Sequence, residues 1–245
     1  MERLILTGMV ISAMPVGEYD KRLVFLTRER GKITAFSRGS RRQNSTMLGA
    51  TEPFVFGKFH FLEGRNAYTL VQAEPRYYFM ELRQSFELAC YGFYFLEFTS
   101  YYARENEDGT QMLGLLVQTM RILCKNVISP KLIRRIFELK LMVINGEYPQ
   151  VFQCVKCGRE GPFAGFSPSL SGLVCPLCQK YGGTVLPASE STVYTMQYII
   201  SSPVEKLYTF TVSEQVLSEL SDIINRHMNR YIDKKFNSLQ MLSLV

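Results

Sequence analysis

Four cysteines carry the clearest chemistry in this chain. Cys154-Val155-Lys156-Cys157 and Cys175-Pro176-Leu177-Cys178 are two C-x-x-C pairs with seventeen residues between them. A C-x-x-C turn points two thiolates at one centre, and two such turns complete a tetrahedral site of four sulfurs. Four soft thiolates favour Zn²⁺ or iron, and Zn²⁺ accepts the tetrahedron without a geometric penalty. No position is left open for water, so the spacing predicts a structural Zn²⁺ rather than a catalytic one. A redox dithiol needs only one of the two pairs. Gly158 and Pro176 are compatible with tight turns around the ligands. A metal of this kind stabilises a loop-rich segment by on the order of ten kcal/mol in isolated zinc peptides. Cys90 and Cys124 lie on helical apolar patterns and read as inert core residues.

The second chemical feature is a basic loop. Arg38-Gly39-Ser40-Arg41-Arg42-Gln43-Asn44-Ser45 offers three guanidinium groups, hydroxyls and a small backbone, a set that suits phosphates. Lys21, Arg22, Arg28, Arg30 and Lys32 are near in sequence. A solvated charge cluster fits the same composition. Phe36, Phe56 and Tyr68 are candidates to stack on bases, with core packing as the alternative for each. Arg226, Arg230, Lys234 and Lys235 form a second cluster beside a helix C-terminus, where the helix dipole favours cations in any case.

Other chemistries find little support. With two histidines, His60 and His227, a three-histidine metal site is excluded. There is no G-x-S-x-G, no phosphate-binding G-x₄-G-K-[ST] loop and no H-E-x-x-H. Glu105, Glu107 and Asp108 sit together in a turn between helices and read as solvated loop acids. No enzyme is expected.

The elements that must hold these residues change character along the chain. Runs rich in β-formers span 3–11, 22–27, 32–37, 54–62 and 67–71. Ile33 and Ala35 alternate with Thr34 and Phe36, and Gly57 marks a bulge or bend. Glu63-Gly64-Arg65-Asn66 reads as a hairpin loop. An OB-type barrel fits these five strands, as does any small five- or six-stranded β-domain. Beyond Glu74-Pro75 the period becomes helical over 79–103, 112–124 and 131–144, with Pro130 in a first turn and Asn145-Gly146 as a stop. Helices resume at 189–201. Thr211-Val212-Ser213-Glu214 matches a capping box opening a helix to about Arg230.

The charge follows this division. The 245 residues hold 28 Lys and Arg against 22 Asp and Glu, a net +6. Residues 1–80 hold 12 basic and 7 acidic side chains, leaving 16 and 15 for the rest. The excess therefore sits on the β-rich third, as a local anion-binding surface would have it. The start of the chain shows no apolar secretory segment, and the longest apolar run, 93–98, is interrupted by Glu97. A cytoplasmic protein without membrane contact is expected.

Together these residues carry a resemblance. Val16-Gly17-Glu18-Tyr19-Asp20-Lys21-Arg22-Leu23-Val24, Thr27-Arg28-Glu29-Arg30-Gly31-Lys32-Ile33, Arg38-Gly39-Ser40-Arg41-Arg42 and Leu70-Val71-Gln72-Ala73-Glu74 resemble the N-terminal barrel of the bacterial RecO family of DNA repair proteins. Glu138-Leu139-Lys140-Leu141, Gly146, Tyr148-Pro149, the paired C-x-x-C motifs and Lys235-Phe236-Asn237-Ser238-Leu239 are similar to its helical domain. The resemblance implies an α+β multidomain chain. A five-stranded OB-type barrel that binds DNA would span 1–77. A mostly α-helical domain would span 78–245, with a four-cysteine zinc insertion at about 149–187. It implies a recombination mediator that binds single- and double-stranded DNA and anneals complementary strands. Such a protein acts with RecR on DNA coated by single-strand-binding protein to help load RecA, in the cytoplasm at the nucleoid. The phosphate contacts would be Lys21, Arg22, Lys32, Arg38, Arg41 and Arg42. The competing class is a zinc-stabilised adaptor that meets only proteins.

Overall fold

The computed structural model describes residues 3–65 and 67–242. They form two compact units, one of residues 1–126 with 236–245 and one of 127–235.

The first unit begins with five strands in a closed barrel of order β1-β2-β3-β5-β4. The strands are β1 (Arg3–Val16), β2 (Asp20–Thr27), β3 (Gly31–Ser37), β4 (Phe56–Glu63) and β5 (Tyr68–Tyr77). All neighbours are antiparallel except β3 and β5, which run parallel. This is the order of an OB-type barrel. β1 pairs β4 through its first half and β2 through its second, with an irregularity between Val10 and Ser12 that lets it turn from one partner to the other. The expected alternation holds: Ile33 and Ala35 are buried, while Phe36 faces out. Phe25 meets Phe59 and Phe61 edge-on at 4.8 and 5.2 Å inside the barrel, among Leu6, Val10, Leu23 and Leu70. The bulge expected at Gly57 appears as a register shift between β4 and β5. Asn66, placed in the hairpin loop by the sequence, lies outside the described residues.

Several boundaries differ from the expectation. β1 extends to Val16, and β5 runs through Pro75 to Tyr77 as a strand. A short helix, α1 (Met47–Ala50), interrupts the loop after β3. The single helix expected over 79–103 is instead a 3₁₀ turn (Met80–Arg83) followed by α2 (Phe86–Tyr102). The cause is local: Ser85 is extended and its hydroxyl accepts from the Leu88 N–H, which starts a new helix there. α3 (Thr110–Lys125) follows. α2 and α3 belong to the same compact unit as the barrel. A final helix that the sequence did not announce, α7 (Asn237–Leu242), packs on α2.

The second unit holds α4 (Pro130–Ile144), a two-stranded hairpin of β6 (Gly165–Ser167) and β7 (Gly172–Val174), α5 (Glu190–Ser201) and α6 (Glu214–Met228). α6 starts at Ser213, whose hydroxyl accepts from the Val216 N–H. Thr211 precedes the helix, which corrects the expected capping box. The apolar faces enclose the charged groups of Arg135, Glu138 and Lys140. Lys140 Nζ donates to the carbonyls of Ile199, Ile200 and Ser202 at the end of α5. Glu138 is fully buried between Arg134 and Arg135, each at 2.7 Å. These groups persist inside because each is paired, as burial of an ion demands.

Candidate metal centre and nucleic-acid interface

The four predicted ligands converge. The Sγ atoms of Cys154, Cys157, Cys175 and Cys178 all lie within 4.8 Å of one another, and Cys157 and Cys175 are 3.7 Å apart. A tetrahedron with metal–sulfur bonds of about 2.3 Å has sulfur–sulfur edges of roughly 3.8 Å, so the set fits a thiolate-bound ion. The local chain explains the convergence. Gly158, at φ 74°, closes the first turn by donating to the Cys154 carbonyl, and the Cys154 N–H donates to Arg159. The second turn follows directly after β7, and the Cys178 N–H donates to the Cys175 carbonyl. The Cys175 N–H reaches the Cys154 sulfur at 3.4 Å.

Electrostatics point the same way. Burial works against a Cys154 thiolate, but backbone N–H groups of Cys175, Cys157 and Lys156 outweigh it and bring its pKa down to about 6. Cys178 is pushed up to about 12 by desolvation, by hydrogen bonds from the other thiols and by charge on Cys154. Cys154 thus ionises readily, while Cys178 resists adding a second negative charge beside it. A dication among the sulfurs reverses that resistance. The other two cysteines behave as expected of inert thiols: Cys90 is buried, and burial together with Glu81 raises Cys124 to about 11.

The six predicted phosphate contacts separate into two groups. Arg22, Arg38, Arg41 and Arg42 are exposed, and Lys32 is partly so. Lys21 is not available: it is 7% exposed, and its ammonium donates to Glu52 at 2.6 Å, Thr51 Oγ1 at 2.9 Å and the Leu48 carbonyl. The expectation for Lys21 is therefore corrected. The residue ties β2 to the α1 segment.

The arginine loop folds onto the β1–β2 turn. The Gly39 N–H donates to Asp20, and the Arg41 N–H donates to the Tyr19 carbonyl. Arg41 Nη1 donates to the carbonyls of Gly17 and Glu18, each at 3.1 Å. The Arg42 guanidinium lies 5.3 Å from the Tyr19 ring centroid. These bonds hold the loop in one conformation and leave its charge at the surface. Arg22 continues this surface, opposite Phe36 in the β2–β3 register. Arg22 also lines a cleft of about 460 Å³ that opens between the strands, the β4–β5 loop and residues 105–106. Lys32, whose Nζ donates to the Ser100 carbonyl, and Arg65 stand at this cleft. Its acidic members Glu63 and Glu105 were missed as part of any site, because only the folded chain brings them beside Tyr68. In the C-terminal basic cluster, Arg230 donates to the Ser169 carbonyl at 2.8 Å and so pins the end of α6 to the β6–β7 turn.

Fold and site together define a class: an OB-barrel protein with helical segments and a four-thiol cluster able to hold a metal ion. The chain belongs to the recombination protein O family. The N-terminal family pattern, "Recombination protein O N terminal", matches residues 1–79, and the C-terminal one, "Recombination protein O C terminal", matches 83–240. The chain is 30% identical to the DNA repair protein RecO of Alkaliphilus metalliredigens over 236 residues, covering 96% of each chain. It is 28% identical to that of Acetivibrio thermocellus over 245 residues, covering 99% of this chain and 97% of the other. The protein of the same name from Clostridium acetobutylicum is 28% identical over 240 residues. The family carries a role in DNA repair and recombination. Among the described residues no helix is long and apolar enough to cross a membrane.

Proposed function

We propose that this protein is a DNA-binding recombination mediator. It binds single- and double-stranded DNA along the barrel, anneals complementary strands, and acts with RecR on DNA coated by single-strand-binding protein to help load RecA. The observation that carries this reading is the loop at 38–42, whose arginines stay exposed while its backbone is pinned to the β1–β2 turn. Guanidinium groups carried on a pinned backbone meet phosphates with less ordering cost than those of a free loop. Arg22, Arg38, Arg41 and Arg42 are the phosphate contacts, Lys32 contributes from the cleft, and Lys21 holds the frame. The four cysteines hold a structural Zn²⁺. No catalytic step belongs to this reading, and the site of action is the cytoplasm at the nucleoid.

The test is a titration of labelled oligonucleotide at several salt concentrations. Neutralising about four phosphates of a single strand gives a slope of log K against log salt of roughly −3. Reversing Arg38, Arg41 and Arg42 together weakens binding at least about tenfold with metal content intact. Unchanged affinity in the triple variant removes the barrel-face reading. A second reading, a metal-braced adaptor that meets only proteins, has in its favour an open groove of about 690 Å³ beside α5 and α6, where Tyr194 is 68% exposed. An adaptor shows no salt-dependent DNA binding.

A further inference from the structure

The cleft that Arg22, Lys32 and Phe36 line is not built like a phosphate site. Its cations, Arg22, Lys32 and Arg65, face two carboxylates, Glu63 and Glu105. A pocket shaped only for phosphate has no use for carboxylates, which repel it. Phe36 lines the cleft with 37% of its surface open, although it is a large apolar side chain on a strand. Tyr68 lies beside it on β5, because β3 and β5 pair Ala35 with Tyr68 and Phe36 with Thr69. The Tyr68 hydroxyl donates to Glu63 Oε1 at 3.4 Å. Partial burial, then Glu63, hold the Tyr68 phenol above its ordinary pKa, so it stays a neutral hydroxyl.

An open aromatic face, a rim with the exposed Arg22 and Arg65, and a half-buried acceptor in Glu63 make one combination. The face stacks on a flat ring, the rim holds the phosphates on either side of it, and the acceptor selects the edge of the ring. Carboxylates accept from an exocyclic amino group, such as cytosine N4, and repel a carbonyl oxygen in the same place. A volume of about 460 Å³ admits an unstacked nucleotide, and only a base out of the duplex stack can lay its face on Phe36.

We propose that this cleft takes a single extruded nucleobase of single-stranded DNA, stacked on Phe36, and that Glu63 makes it prefer bases bearing an amino group over thymine. The proposal rests on the DNA-binding reading above and deepens it. The arginine loop supplies affinity for either form of DNA. The cleft adds a preference for unpaired strands and, among them, for cytosine over thymine.

The test uses the full-length protein and homopolymers of about 15 nucleotides, the span of one OB face, at neutral pH and moderate salt. Anisotropy is read with oligo-dC and with oligo-dT. Oligo-dC is expected to bind tighter, on the order of fivefold or more. Glu63→Gln, near-isosteric at a half-buried position, equalises the two without changing the salt slope. Phe36→Ala weakens both by about tenfold and leaves duplex affinity unchanged. Matching melting temperatures of the variants and the parent exclude a folding defect. Equal affinity of the parent for oligo-dC and oligo-dT, with salt-dependent binding present, overturns the cleft proposal and leaves the DNA-binding reading standing. A preference that survives Glu63→Gln overturns the role of Glu63. No salt-dependent binding of any oligonucleotide overturns both readings.

Discussion

The Ser238 hydroxyl donates to a carboxylate oxygen of Glu97 across 2.8 Å, although 141 positions separate the two residues. The Ser238 N–H reaches the same oxygen at 3.3 Å, and the Asn237 N–H reaches the other at 3.4 Å. Glu97 therefore caps the N-terminus of α7 from α2, supplying acceptors that the first turn of a helix lacks. Beside it, Phe236 stands edge-on to Phe98 at 5.2 Å and to Tyr94 at 5.6 Å.

Removing this cap weakens the attachment of α7. Glu97→Ala is expected to cost about 1–2 kcal/mol. Phe236→Ala, which leaves a cavity among rings, is expected to cost about 3 kcal/mol. Denaturant titration measures both, and hydrogen exchange over 236–242 localises the loss. Full protection of that segment in Glu97→Ala contradicts the capping role.

The metal site predicts a dependence that mutation and chelation share. Cys175→Ser, or removal of the ion, is expected to lower the melting temperature and to loosen 150–187, because the hairpin there has only three-residue strands. Atomic absorption is expected to find one zinc per chain. A metal-free protein that melts at the parent temperature overturns the structural role.

Lys21 separates stability from binding. Lys21→Met leaves Glu52 and Thr51 without their cation and is expected to destabilise by about 1–3 kcal/mol, a figure moderated by the partial exposure of Glu52. At a temperature where the variant is folded, its salt slope for DNA is expected to equal the parent's. A reduced slope makes Lys21 a phosphate contact after all.

Acid stability has two steps. His227 is buried, with Nε2 against the Glu147 carbonyl at 2.8 Å and Nδ1 without a partner. Desolvation, and then the nearby charge of Arg230, push its pKa below the ordinary 6.5 despite the Glu147 bond. The unfolded chain thus takes up a proton first as pH falls, and stability declines from about pH 6.5 downward until folded His227 is also protonated. Glu219 acts lower. Burial opposes its charge, but the Thr192 hydroxyl and the Ser189 N–H donate to it and hold its pKa at about 2, against 4.5 unfolded. Its contribution is complete above about pH 4.5 and is lost as pH falls towards 2. His227→Phe is expected to flatten the first step and Glu219→Gln the second, read as melting temperature against pH.

The sequence was most readable where a single local rule decided the outcome. Two-residue alternation placed Ile33 and Ala35 inside the barrel, and C-x-x-C spacing alone brought four sulfurs together. It was least readable where a distant partner decided. Lys21 looks like its neighbour Arg22, yet Glu52, 31 positions away, takes its charge inward. Glu63 and Glu105 gain meaning only beside Tyr68. α7 is six residues long, too short for a periodic signal, and exists because α2 offers it an aromatic seat and a carboxylate.

That seat bears on the order in which the protein is made. Residues 127–235 are contiguous and can fold as soon as they leave the ribosome. The unit begun earlier receives Phe236 and α7 only after residues 127–235 have been made. The unit that starts before residue 127 is therefore completed after the one that follows it. Until Phe236 has been made, the rings of Tyr94 and Phe98 lack one of the aromatic side chains that pack on them in the folded molecule.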